Sequence, residues 1–144
     1  GVAKYRASQV KTSEGFIRGK AAYLAPETLE AKPIDGRIDL FSLGIVLHEM
    51  LTLRSLFESE SYMLTFRRIL ALPIEPPSKI RPSVPPELDA IVMKALERDP
   101  VRRYQTAEEM ATDLRRFVFE NGLPENRNGA FVRALGDLGT PDPA

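Results

Sequence analysis

Asp39-Leu40-Phe41-Ser42-Leu43-Gly44 opens the longest mainly apolar stretch of the chain, which runs on to Leu53. Between Ile38 and Leu51 the apolar residues occupy nearly every side of a helix with 3.6 residues per turn. We therefore predict a helix over 38–51 that is buried on most sides, with Asp35 or Asp39 as its cap. The stretch is interrupted by polar residues and is too short to cross a bilayer.

Helical patterns continue on both sides of this stretch, and no segment predicts a strand strongly. The residues after Pro26 favour a short helix, since proline is well tolerated in a first turn. Further helices are predicted from Ser59 or Ser61 to Leu70, from Pro85-Pro86 to just before Asp99-Pro100, and from the capping box at 106–109 to Asn121-Gly122. The intervening segment 73–86 holds six of the twelve prolines, so we predict an extended connector without helix.

The amino-acid composition argues against several classes of binding partner and site. Lys plus Arg and Asp plus Glu each number 20, so no net charge attracts the chain to nucleic acid or to an anionic membrane. The chain has no cysteine, which excludes disulfides and thiolate metal sites and fits a reducing compartment. No signal peptide opens the sequence. We predict a cytoplasmic location, or the cytoplasmic face of a membrane-anchored parent.

Three motifs follow one another at characteristic distances: Ala25-Pro26-Glu27, the stretch 39–44 quoted above, and Asp99-Pro100-Val101-Arg102-Arg103. In this order they resemble the second half of a protein kinase catalytic domain, and the residues around 19–27 resemble bacterial serine/threonine kinases of the eukaryotic type. Gly1-Val2-Ala3-Lys4 is similar to the end of the kinase Asp-Phe-Gly motif. The resemblance extends from Gly1 to about Phe119.

This resemblance implies a mainly α fold, the helical C-lobe of a protein kinase with a long activation segment. The implied boundaries are 1–27 for the activation segment and 28–122 for the helical lobe, which together form a partial kinase domain. Residues 123–144 are then a C-terminal tail or the start of a linker. The chain is accordingly expected to be a fragment of a longer kinase.

The implied activity of the full-length parent is transfer of phosphate from ATP, with magnesium, to serine or threonine of a protein. The nucleotide-binding and catalytic-loop residues of the family lie upstream, so this chain alone is expected to be inactive and to bind no cofactor or metal. Its expected partners are protein substrates and the missing N-terminal half, with no nucleic acid and no membrane contact. The alternative is a pseudokinase or kinase-like binding module that docks partners through residues 61–70.

Several residues of the leading loop match functional positions of the family. Ser8, Thr12 and Ser13 are the candidates for activation-loop phosphorylation, which orders such loops through an arginine partner. The segment Gly19-Lys20-Ala21-Ala22-Tyr23 corresponds to the surface that receives the substrate next to its phosphoacceptor. Serine/threonine kinases usually carry threonine at the position of Lys20, so this residue departs from the pattern.

The resemblance also assigns structural roles. Glu27 and Arg103 are expected to form a buried ion pair that ties the end of the loop to the helical floor, since a guanidinium holds a carboxylate through two parallel hydrogen bonds. Asp39 has two open readings: a cap of its own helix, or an acceptor for amides of the catalytic loop. Val46 and Met50 match positions beneath the adenine ring, but we favour plain core for both, since that interpretation needs no ligand.

The remaining polar residues give no sign of a catalytic or metal site. His48 is the single histidine and lies on an apolar helix without a second His or Cys, so we predict a structural role. The glycines match neither of the common phosphate-binding spacings.

Overall fold

The computed structural model describes residues 20–122, and all its regular elements are helices. They are α1 (Pro26–Leu29), α2 (Arg37–Thr52), α3 (Tyr62–Ala71), α4 (Pro77–Ile80), α5 (Pro86–Ala95) and α6 (Ala107–Glu120). Within this part of the chain no strand is present. The mainly α prediction is confirmed.

Helix α2 is the centre of the lobe. It packs against α4 and α5, α5 packs against α6, and α3 packs against α1. Its first core cluster joins Phe41 and Ile45 to residues from the other helices and includes Phe57, whose ring lies parallel to that of Phe41 at 6.2 Å. A second cluster lies between α2, α5 and α6 around Leu40, Ala95 and Tyr104.

Local sequence determines where the helices begin and end. The Ser61 side chain accepts a hydrogen bond from the Leu64 amide at the start of α3, and Thr106 accepts one from the Glu109 amide at the start of α6. Both are typical N-caps. Gly122, with φ of 61°, takes the left-handed conformation that commonly terminates a helix.

Two predictions about the helices require correction. The proline-rich segment 73–86 contains the short helix α4, because Pro77 occupies its first turn and the Asp89 carboxylate accepts a hydrogen bond from the Ser78 amide at 2.9 Å. Helix α2 is also less buried than predicted. Leu43 is 43% exposed and Val46 is 39% exposed, whereas Phe41 on another side of the helix is fully buried.

Candidate substrate-positioning site

A buried ion pair lies where the N-terminal segment meets the helical floor. Arg103 Nη1 donates to Glu27 Oε1 at 2.7 Å and Nη2 donates to Oε2 at 3.1 Å. Arg103 is 1% exposed and Glu27 is 3% exposed. The two parallel bonds fix both the distance and the orientation of α1 relative to the 97–103 segment.

The Arg103 side chain makes further contacts that compensate for its burial. Its Nη1 also donates to the Arg37 carbonyl at 2.7 Å, and its Nε donates to the Glu97 carbonyl at 3.0 Å. The guanidinium carbon lies 4.9 Å from the centre of the Phe41 ring. A buried charge is tolerated only when it is paired and its donors are satisfied, and Arg103 meets both conditions.

The protonation of Glu27 depends on this arrangement. Burial by itself raises the pKa of the Glu27 carboxyl, but the hydrogen bonds and charge of Arg103 outweigh burial and lower the pKa below its ordinary value of 4.5. Glu27 is therefore ionised at neutral pH, as the bidentate pair requires.

The predicted substrate loop leads directly into α1, and its described part is residues 20–23. Ala21 and Ala22 are buried, whereas Lys20 is exposed and Tyr23 is 36% exposed. The Ser42 hydroxyl of α2 donates to the Tyr23 carbonyl at 2.7 Å. These contacts hold the backbone of the loop on α2 while Lys20 and Tyr23 remain accessible.

The Tyr23 side chain is oriented by a carboxylate of α2. Its hydroxyl donates to Glu49 Oε2 at 2.6 Å, and the other oxygen of Glu49 accepts from the Leu56 amide at 2.8 Å. The hydrogen bond to Glu49, together with burial, raises the pKa of Tyr23 to about 12. Tyr23 is therefore a neutral donor at physiological pH, held in one position beside the loop.

A second arginine joins α2 to the segment that carries Arg103. The Arg37 guanidinium contacts both carboxylate oxygens of Asp35, and its Nη1 donates to the Pro100 carbonyl at 3.1 Å and to Gln105 Oε1 at 2.9 Å. The hydrogen bonds from Arg37 lower the pKa of Asp35 to about 2. No sequence motif predicted this role of Arg37; the i,i+2 spacing of an acid and a base at the start of α2 was the available signal.

Asp39 does not cap α2 with its side chain. The N-cap of α2 is Gly36, which has no side chain to cap it, and the amide of Arg37 donates instead to Asp35 Oδ1 at 2.9 Å. Asp39 is exposed, and it lies on the same side of the helix as the exposed Leu43 and Val46, four and seven residues later. Half-buried Met50 continues this strip, which we call the α2 strip (Asp39, Leu43, Val46 and Met50).

His48 lies on a different side of α2 and is buried. Its Nε2 is 2.9 Å from the Glu75 carbonyl oxygen, which can only accept, so Nε2 carries the proton. Its Nδ1 has no hydrogen-bond partner among residues 20–122. The contact attaches the proline-rich connector to the central helix.

The described residues do not fit a nucleotide–metal site. Within 20–122, no group of three or more His, Asp or Glu side chains is placed to hold a metal ion. No phosphate-binding glycine spacing occurs in the sequence. No step of phosphoryl transfer is therefore assigned to these residues. The candidates Ser8, Thr12 and Ser13, together with Gly19, lie outside the described residues.

Residues 1–114 match the family model of the protein kinase domain. The chain belongs to the protein kinase family. Among curated relatives, it is 39% identical over 135 residues to tyrosine-protein kinase MasK of Myxococcus xanthus, covering 92% of this chain and 21% of that protein. It is 42% identical over 115 residues to serine/threonine-protein kinase PknB of Mycolicibacterium smegmatis, covering 79% of this chain and 18% of that protein.

A solved structure shares the kinase fold. The twitchin kinase region of Caenorhabditis elegans superposes with a TM-score of 0.56 at 23% identity, covering 67% of this chain and 16% of that chain. The described helices therefore correspond to a protein kinase C-lobe, as predicted. The chain spans about a fifth of the length of the curated kinases that it matches.

Membership of the protein kinase family shows to which part of a kinase these contacts belong. In this kinase C-lobe, contacts of Tyr23 with Ser42 and Glu49 hold the segment 20–23 on α2, and the buried Glu27–Arg103 pair holds α1 a few residues further along the chain. No helix within residues 20–122 is long and apolar enough to cross a membrane.

Proposed function

We propose that the full-length protein containing this chain is a protein serine/threonine kinase, which uses ATP and magnesium to phosphorylate proteins. In this proposal residues 1–27 are the activation segment, 28–122 the helical lobe and 123–144 a tail or linker. This part of the enzyme supplies the activation loop and the surface that docks the protein substrate. The proposed location is the cytoplasm, or the cytoplasmic face of a membrane-anchored parent.

The observation that carries this proposal is the bidentate Glu27–Arg103 pair. It joins the end of the substrate loop to a buried arginine with five satisfied hydrogen bonds. A loop held in this way presents a substrate in a fixed position, and positioning supplies much of the catalysis in phosphoryl transfer. Residues 20–23 would contact the substrate, and Asp39 with the rest of the α2 strip would contact the missing N-terminal half.

The loop and the relatives both bear on whether the phosphate acceptor is serine and threonine or tyrosine. Lys20 stands where serine/threonine kinases usually carry threonine, and one relative is named as a tyrosine-protein kinase. Two further relatives are named as serine/threonine kinases, and one of them, from Clostridium perfringens, is 38% identical over 99% of this chain. We favour serine and threonine as acceptors on the balance of these relatives.

The test is phosphate transfer by the purified full-length protein to peptide libraries that contain serine, threonine or tyrosine. We expect labelled serine and threonine, and a loss of about tenfold or more in kcat/KM for Glu27→Gln, because the loop loses one of its two charge-assisted bonds. Glu30→Gln is the matched control, since Glu30 is exposed and pairs with Lys32 at the surface.

Other outcomes identify the alternatives. Labelled tyrosine would assign tyrosine kinase activity instead. No transfer to any peptide would favour the kinase-like binding module. Phosphate on Ser8, Thr12 or Ser13 of the protein itself, located by mass spectrometry, would support the activation-loop assignment.

A further inference from the structure

The C-terminal end of α3 is held by an arginine that belongs to the segment before Arg103. Arg98 Nε donates to the Ile69 carbonyl at 2.7 Å, and its Nη2 donates to the Leu72 carbonyl at 2.6 Å. A longer bond of 3.3 Å reaches the Arg68 carbonyl. The last carbonyls of a helix lack partners within the helix, and Arg98 supplies donors to those of Ile69 and Leu72, while it shares the Arg68 carbonyl with the Leu72 amide.

The charge of Arg98 is compensated by this helix end. Among residues 20–122, no carboxylate forms a salt bridge with Arg98. Burial lowers the pKa of the guanidinium. The partial negative charge at the C-terminus of a helix favours a cation there, so the position of the guanidinium and the position of the helix end depend on each other.

Arg98 is also connected to the Glu27–Arg103 pair. Arg103 Nη2, which donates to Glu27, is 3.4 Å from the Arg98 carbonyl oxygen, and Arg103 Nε donates to the neighbouring Glu97 carbonyl. One continuous set of hydrogen bonds therefore runs from Glu27 through Arg103 and Arg98 to the end of α3.

Direct packing is interrupted along part of this path. A cleft of about 330 Å³ is lined by Pro26 and Glu27 of α1, Leu70 of α3, and Arg98. Beside the direct contact between α1 and α3, the arginines provide a second connection along the cleft.

We infer that Arg98 is a positioning residue that makes the placement of α3 depend on the Glu27–Arg103 pair. A change at the end of the substrate loop is then transmitted to α3, whose outer face carries the exposed side chains Met63 and Leu64. The effect on catalysis rests on the proposed function, because a displaced α3 alters how a whole protein substrate is held.

The experiment measures hydrogen exchange in the full-length protein. Arg98→Met should speed exchange at the end of α3, including the Leu72 amide that donates to Arg68, by about tenfold, because bonds from a charged donor are lost. Arg98→Lys retains the charge but not the planar fork, so an intermediate rate is expected. Arg102→Met is the matched control, because Arg102 is exposed on the same segment.

The coupling between Arg98 and the Glu27–Arg103 pair is tested by introducing Glu27→Gln into the wild type and into the Arg98→Met variant. We expect this change to speed exchange in α3 when Arg98 is present and to have little further effect in the Arg98→Met background. Equal effects in both backgrounds, or wild-type exchange at α3 in both Arg98 variants, would overturn the inference.

A kinetic measurement separates this inference from the proposed function. Arg98→Met should raise KM for a protein substrate by about fivefold while kcat with a short peptide and KM for ATP stay unchanged. An equal loss of activity with the short peptide would indicate general damage to the lobe and contradict a positioning role. If the wild-type protein transfers no phosphate, the proposed function fails, and the exchange experiment still decides the role of Arg98.

Discussion

At the scale of single residues, Arg103 organises the site. It contacts the Glu27 carboxylate and carbonyl oxygens of Arg37, Glu97 and Arg98, so one side chain joins α1, the start of α2 and the segment before α6. Truncation of such a residue removes several bonds and leaves the partner charge buried without a counterion.

Glu27→Ala should therefore destabilise the kinase domain by about 3–5 kcal/mol, the usual cost of removing one partner of a buried pair. The double variant with Arg103→Ala should recover part of the loss. Thermal or denaturant unfolding of the four proteins in a double-mutant cycle measures the coupling. Glu30→Ala, which breaks the exposed pair with Lys32, should cost only about 0–1 kcal/mol. Purely additive effects of the Glu27 and Arg103 changes would show that the two residues do not interact.

The same pair predicts a pH dependence. Because the pKa of Glu27 is lowered in the folded protein, its ionised form contributes stability above the ordinary value of 4.5, and that contribution is lost as the pH falls through the lower folded value. The difference in unfolding free energy between the wild type and Glu27→Gln should therefore shrink as the pH falls below about 4.5. Unfolding measured at a series of pH values tests this, and a constant difference would contradict it.

At the scale of helices, α2 and α5 approach each other closely at Gly44. A Cβ atom added at Gly44 would lie 2.9 Å from Ala95 Cβ and 3.2 Å from the Ala95 backbone. Glycine is therefore required at this position by contact between helices, since Gly44 is not among the residues with positive φ. The small residue permits α5 to reach the core beside Phe41 and Ile45.

Gly44→Ala should destabilise the lobe. Overpacking of a core costs about 1–3 kcal/mol, which exceeds the roughly 0.5–1 kcal/mol that alanine gains over glycine within a helix. Gly36→Ala is the matched control, because nothing lies within 4 Å of a Cβ added there, and it should change stability by less than about 0.5 kcal/mol. Unfolding midpoints of the two variants provide the comparison. Equal stability of both variants would mean that α2 and α5 can separate without cost.

At the scale of the whole molecule, the α2 strip places the apolar side chains of Leu43 and Val46 at the surface of a helix whose other sides contribute to the core. Leu43 and Val46 each forgo part of the roughly 1.5–3 kcal/mol that full burial of such a side chain provides. The total stability of an intact domain is only about 5–15 kcal/mol. Phe41 on the same helix is fully buried, so it forgoes none of this free energy.

The isolated chain is expected to bind apolar dyes, to self-associate or to unfold over a broad temperature range. Supplying the N-terminal half of the kinase domain in trans should improve its behaviour. Val46→Glu should block this rescue, whereas Met63→Glu on the exposed face of α3 should not. A monomer with one sharp reversible transition and negligible dye binding would contradict the prediction.

The isolated chain is further expected to show no phosphotransfer and no specific ATP affinity, because its motifs contain none of the residues that grip phosphate or metal in the family. Calorimetric titration with ATP and magnesium tests this, and the full-length protein is the positive control. Saturable magnesium-dependent binding by residues 1–144 would overturn it.

The sequence by itself determined the class of fold and the extent of most helices. Caps such as Ser61 and Thr106 and the apolar spacing of α5 act over a few neighbouring residues, so they can be recognised without the rest of the structure. The same reasoning failed for α4, because its first turn is stabilised by Asp89 from the following helix. Glu27 and Arg103 could be paired in advance only through the motifs that they share with kinases.

Tertiary structure alone decided which other side chains join the site. Arg37 and Arg98 bind backbone carbonyls of distant segments, and Tyr23 reaches Glu49 across the surface of α2. Every residue has a backbone carbonyl. The sequence therefore does not show which residue an arginine side chain will bind when its acceptor is a carbonyl oxygen. The exposure of Leu43 and Val46 could not be predicted from the sequence either. Apolar character shows that a side chain can be buried, but the neighbours that pack against it determine whether it is.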